Sequence, residues 1–347
     1  MNAVVVVGFR AALDEAAPGA GAALGVRLGL AGLLPAMGWE DPRPSDEQLW
    51  ARVQYEAHRE FARAACSALT TARIPHCVYK GVGLGALYAP AVRTAADVDV
   101  LLDGSRTTDA LEALAQCQAV VAADAWDAAP PSMRRSVELE WRGGVPVAVD
   151  LAWALVNVNR LISDARHTDL EEIWTSVHAD DGVSIPSAGV HLALVVHHLV
   201  HHDLLHAPGL VDAALLWASL DEQAMDAAAV LAKRLGVARV TSGLVAEFAR
   251  RFGLLGPPWP GRVDAPRLDV SRLLGNAAMG TGPAITAHRA WRRACLLDRR
   301  RDVWRLARDV VAPPPAYLAW RWPESRGYGS RWLRHAAQTT RKLILGP

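Results

Sequence analysis

Two aspartates one residue apart, Asp97 and Asp99, sit inside the apolar run ADVDVLLD of a 347-residue chain, and a third, Asp150, sits in the similar run VPVAVDLAW. A strand sends residues i and i+2 to one face, so Asp97 and Asp99 project together while Val98, Val100 and Leu102 pack on the other side. Asp150 alternates in the same way against Val149 and Leu151. Like carboxylates about 6 to 7 Å apart along a strand repel each other and lose hydration unless a cation or hydrogen-bond donors lie between them. If the two strands pair, the three carboxylates converge, and three hard oxygen ligands suit Mg²⁺ or Mn²⁺, which complete their shell with water and substrate phosphates. Two such ions about 3.5 to 4 Å apart clamp the attacking and leaving oxygens of an in-line phosphoryl displacement. The plainer reading keeps Asp97 and Asp99 as strand-end surface acids and Asp150 as an unrelated acid, and spacing alone leaves both readings open.

Just before the pair, YKGVGLGAL reads as a strand that ends, a glycine-rich turn and a helix that begins. Amides at such a start can hold phosphate oxygens, and Lys80 beside Gly81 adds a compact positive charge. Lysine is rare here, three residues against thirty-four arginines, so its use at this turn reads either as a need for a compact ammonium or as chance. Arg93, four residues before Asp97, either neutralises the carboxylates, reaches a triphosphate or forms a structural ion pair.

These residues need elements to hold them. HCVY and ADVDVLLD read as strands, SRTTDALEALAQC as a helix and VPVAVDLAW as a further strand. Before them, a helix is expected from Ser45 or Asp46, with an apolar stripe at Leu49, Val53, Ala57, Phe61 and Ala65. After about residue 186 four helical patterns follow one another. The expected divisions are a helical region at 1–75, the core at 76–185, a helical domain at 186–288 and a basic segment at 289–347.

Composition sets the limits. With 51% hydrophobic and 21% charged residues the chain can bury a core. Four widely spaced cysteines without a C-x-x-C pair suggest neither a disulfide framework nor a zinc knuckle. With no signal-like start and no apolar run of spanning length, the expectation is a cytoplasmic protein with no membrane span. From Arg289 to Lys342 fourteen basic residues face four acidic ones, although the whole chain carries only +1.

Taken together, Lys80 and Gly81, then Arg93, then Asp97-Val98-Asp99-Val100-Leu101-Leu102, and later Asp150-Leu151-Ala152-Trp153, resemble the bacterial uncharacterised nucleotidyltransferase family of the polymerase-β-like superfamily. The likeness extends in pattern over about residues 45–240 and is specific at about 78–155. It implies an α+β fold, with a small mixed β-sheet nucleotidyltransferase core, flanking helices and a helical C-terminal region. It also implies Mg²⁺ (or Mn²⁺) on Asp97, Asp99 and Asp150, an NTP as co-substrate bound at Lys80, Gly81 and Arg93, and transfer of an NMP to an acceptor with release of pyrophosphate. The acceptor is expected to be a small molecule, sugar or peptide and not DNA, in keeping with the family's association with natural-product and polysaccharide gene clusters. The sequence departs from the superfamily's usual Gly-Ser turn at Lys80 and Gly81, and has Ala152 where the family often has histidine.

HLALVVHHLVHHDLLH holds six of the twelve histidines. His191, His198 and His202 share one helical face, with His197 and His201 beside it. They read as metal ligands, as donors facing the acceptor, in particular His198 and His202 together with Trp153, or as ordinary packing. Asp212 reads as a cap or salt-bridge acid that resembles a helix acid of the family. The tail, with Trp291, Trp304, Trp320, Trp322 and Trp332 among its arginines, either docks on the acidic remainder, binds an anionic acceptor or binds RNA. The competing functions are a toxin-like nucleotidyltransferase acting on tRNA ends and a non-catalytic peptide- or protein-binding module on the same fold.

Overall fold

The computed structural model describes residues 1–93, 95–122, 136–155, 171–253, 255–278, 296, 298, 300–313 and 315–345. Helices α1 (Ala3–Ala16), α2 (Gly21–Arg27) and the long α3 (Ser45–Thr71) come first. Next come β1 (His76–Val78), a 3₁₀ turn (Gly81–Leu87), β2 (Asp97–Leu102), α4 (Thr107–Gln116), β3 (Ala119–Val121), β4 (Ser136–Trp141) and β5 (Val147–Ala152). A short α5 (Glu171–Ser176) and the hairpin β6 (His178–Asp180) and β7 (Val183–Ile185) lead to α6 (Ala188–His201), α7 (Ala207–Ser219), α8 (Glu222–Leu235), α9 (Ala238–Phe252) and α10 (Val270–Ala278). Last come α11 (Arg300–Val311), α12 (Pro315–Arg321) and α13 (Tyr328–Leu345). The fold is α+β, as expected.

One five-stranded sheet, ordered β1-β2-β5-β4-β3, carries the chemistry-bearing residues. β2 and β5 run parallel, and the other neighbours are antiparallel. The period-two pattern gives β2 and β5 two different faces. Val98, Val100, Val149 and Leu151 pack with Phe61 and Leu69 of α3 and Leu114 of α4 in one apolar cluster. Leu101 and Ala152, on the face that bears the aspartates, join a second cluster with Tyr79, Leu84 and helices α6 to α10, which also takes in Val5, Phe9 and Leu13 of α1. The sheet is thus sandwiched, and the aspartates open toward the helical side.

β4 was not anticipated, although SVELEW alternates cleanly, with Val137, Leu139 and Trp141 buried. β3 and the β6/β7 hairpin were also missed. The segment after Lys80 is a 3₁₀ turn where an α-helix was expected. The inward stripe of α3 starts at Ala51, and Leu49 is exposed.

Trp304 is 76% exposed, Trp322 and Trp332 are half-buried, and the Trp332 indole N–H donates to the Val311 carbonyl within the tail itself at 2.6 Å. Trp291 and the side chain of Trp320 lie outside the described residues. Among the described residues, Leu296 joins the helical core, and the Asp298 carboxylate accepts from the Ala238 and Arg239 amides at the start of α9. Among the described residues no helix is long and apolar enough to cross a membrane.

Candidate nucleotidyl-transfer site

At the end of β1 the chain makes a constrained turn. Lys80 has φ 105° and ψ 179°, a region that is essentially glycine's own and costs a side-chain-bearing residue on the order of 1 to 3 kcal/mol. Gly81 follows at φ 42°, where an added Cβ would lie 3.0 Å from that of Ala95. At Gly83 a Cβ would lie 2.5 Å from the Val78 carbonyl oxygen, so the turn can fold back on its strand only with glycine there. From beneath, His191 of α6 bonds to the Tyr79 backbone, and burial pushes this imidazole down to about 4. A buried neutral histidine thus props up a strained turn.

The aspartates lie beside it. Asp99 is in register with Asp150 on the adjacent parallel strand, and Asp97 with Ala148, so two carboxylates stand one strand spacing apart, about 4.8 Å between backbones. Lys80 Nζ forms an ion pair with Asp99 Oδ1, and the Asp99 side chain is only 7% exposed. Burial nevertheless pushes Asp99 up to about 6, with Lys80 pulling it down and Asp97 and Asp150 adding repulsion. Burial also raises Asp150, opposed by Lys80 and by a hydrogen bond from Ser136. The buried Oδ1 of Asp150 has no hydrogen-bond partner.

A fourth acid extends the row. Glu138 on β4 is in register with Asp150 on β5, and register partners share a face, so Asp99, Asp150 and Glu138 cross three strands side by side. Glu138 is exposed and marks the open end. Sequence reasoning passed over it because β4 itself was not recognised.

The donor set fits a hard divalent cation. It consists of carboxylate oxygens, one of them buried without a partner and one held far above its ordinary value, and a dication would answer both. The expected convergence of three carboxylates on one point is, however, incomplete. Among the described residues no three histidine, cysteine or acidic side chains form a ready-made metal cage. Repulsion keeps the acids apart, and Lys80 takes up one oxygen of Asp99.

The remaining candidates sort clearly. Arg93 Nε and Nη2 lie 3.2 and 3.1 Å from the two oxygens of Asp212, and the Tyr88 hydroxyl donates to the same carboxylate at 2.5 Å. Of the readings open for Arg93, the geometry gives the ion pair. For Asp212 it likewise gives the salt bridge. Trp153 is a correction: the strand alternation sends it, like Leu151, to the apolar cluster with α3 and α4, against Gly104, on the face opposite the carboxylates. His198, His202 and His206, all half-buried, pack in tilted and edge-on contacts at ring separations of 4.4 to 5.7 Å. Burial lowers His198 well below its ordinary value, with the charge of Lys80 adding to it, and His206 feels Arg93, Asp212, Lys80 and Asp97. This trio therefore borders the site. His197 and His201 form a separate buried pair. His58 of α3, buried and influenced by Asp97, borders the site from the other side. Neither His58 nor His206 had been singled out from the sequence.

A mixed sheet with acids on adjacent parallel strands, next to a strained Lys-Gly turn, is a site for polyanion chemistry, and comparison with family models gives its class: the chain is a nucleotidyltransferase. It belongs to the uncharacterised nucleotidyltransferase family, whose model matches residues 45–253, from α3 through α9. No curated protein matches the chain.

Proposed function

We propose that this nucleotidyltransferase moves an NMP from an NTP to a hydroxyl or amine of a small-molecule, sugar or peptide acceptor, using Mg²⁺ (or Mn²⁺) held by Asp97, Asp99 and Asp150. The observation that carries this reading is the register pairing of Asp99 with Asp150, which leaves a buried carboxylate oxygen without a partner.

In this reading the acceptor oxygen or nitrogen forms a bond to the α-phosphorus, the bond from that phosphorus to the bridging oxygen breaks, and pyrophosphate leaves with the electron pair. The bound metal supplies charge stabilisation for the transferring phosphoryl group and lowers the pKa of an attacking hydroxyl. The Lys80 ammonium and the amides after Gly81 bind the triphosphate. Asp150, its carboxyl raised by burial, accepts the acceptor's proton. Glu138 and the trio of His198, His202 and His206 lie at the two borders of the carboxylates, where they hydrogen-bond the acceptor. Arg93 acts through Asp212, fixing α7 against the turn.

Pyrophosphate release from each NTP in the presence of Mg²⁺, with a panel of amino sugars, polyols, peptides and tRNA, tests the reading. Release with a small acceptor and its loss in Asp99→Asn are expected. Release with tRNA alone would replace this acceptor class with an RNA end, and release that persists in Asp99→Asn would remove the carboxylates from the chemistry.

A further inference from the structure

Lys80 is held by two features that oppose each other. Its backbone occupies a conformation suited to glycine, and its side chain, 15% exposed, reaches across to place the ammonium on Asp99 Oδ1. The same ammonium lies 5.0 Å over the Tyr79 ring. It therefore sits on the oxygen that a divalent cation would need, at the residue that would also receive a triphosphate. The chain spends one of only three lysines here, and a single mobile point charge can change partners where a planar guanidinium fork fits one partner well.

We propose that Lys80 makes metal loading conditional on the nucleotide. Lys80 and a divalent cation compete for Asp99. A triphosphate relieves the competition, because its oxygens take the ammonium and leave the carboxylate to the metal. Metal alone and nucleotide alone then bind weakly, and each strengthens the other by the same factor, as thermodynamic linkage requires. This inference rests on the proposed metal–nucleotide site and adds to it an order of loading built into one side chain.

Mn²⁺ retained by the protein on rapid ultrafiltration, with free Mn²⁺ and the Mn²⁺–ATP complex passing into the filtrate, tests it without turnover. The wild type is titrated alone and with saturating ATP, beside Lys80→Gly, which removes the ammonium and suits the backbone at φ 105°, and Lys80→Met, which keeps the side-chain length. Both variants are expected to bind Mn²⁺ alone about tenfold tighter than the wild type, and the coupling between Mn²⁺ and ATP is expected to shrink by a similar factor. Unchanged or weaker Mn²⁺ binding in both variants, with the wild type still binding Mn²⁺ together with ATP, would overturn the competition and leave the site reading intact. Absence of protein-bound Mn²⁺ in every sample, with or without ATP, would overturn both.

Discussion

Two buried acids on facing elements, Asp212 of α7 and Asp99 of β2, are treated in opposite ways. Asp212 receives two N–H groups of Arg93 and the Tyr88 hydroxyl, so its charge is paired and hydrogen-bonded. Asp99 shares its surroundings with Asp97 and Asp150, has Lys80 as its counter-charge and is still pushed up to about 6. Beside it, Asp150 keeps an oxygen without a partner. A fold that satisfies one buried carboxylate fully and leaves a neighbouring pair in conflict has placed its structural polar network and its reactive one side by side.

The sharpest way to break this contrast is to neutralise one acid of each kind. Asp99→Asn is expected to lower pyrophosphate release by about 10³-fold or more, on the several-kcal/mol scale of metal-borne charge stabilisation. It should cost less than about 1 kcal/mol of stability, because it removes a strained buried charge. Asp212→Ala should do the reverse, losing about 3 to 5 kcal/mol in urea unfolding because Arg93 is left buried without its anion. If the two variants showed the same balance of lost activity and lost stability, the contrast would fail.

A third prediction concerns the support beneath the turn. His191 titrates at about 4 in the folded protein against an ordinary value of 6.5, so the unfolded chain binds the proton more readily. The stability that this neutral imidazole contributes is fully present above pH 6.5 and is lost as pH falls toward 4. Urea unfolding at pH 7 and at pH 4.5 should show a loss on the order of 2 kcal/mol from this group, and His191→Gln should reduce it. An equal acid sensitivity in the variant would assign the loss to other groups. The smallest expected effect is that of Glu138→Gln, which should raise the acceptor KM by about tenfold, near 1.4 kcal/mol, and leave NTP binding unchanged. A change in NTP affinity instead would move Glu138 to the donor side.

Much of this was legible in the sequence, because β2 and β5 write their two faces in period two and the acids stand out on a face that is otherwise apolar. The sequence carried the convergence of the three carboxylates only on condition that the strands pair, and the register of Asp99 with Asp150 came from the structure. What was not legible depends on partners far along the chain. Arg93 meets Asp212 across 119 residues, and no local pattern selects that acid over a triphosphate. Glu138 enters the site only through the register of β4 on β5. Trp153 was misassigned because it follows the acid closely in sequence, although one step of strand alternation from Ala152 turns it to the opposite face. The strain at Lys80 is likewise invisible in a sequence, where Lys-Gly reads as an ordinary turn.

The central claim is that the carboxylate row and the turn at Lys80 together form a site for metal and nucleotide. Thermal unfolding of the wild type and of Asp97→Asn, with each NTP and with and without Mg²⁺, tests it most directly. A rise in Tm that needs both nucleotide and metal is expected in the wild type and should vanish in the variant; an equal rise in the variant, or no rise with any NTP and Mg²⁺, would rule out a metal–nucleotide site at these residues.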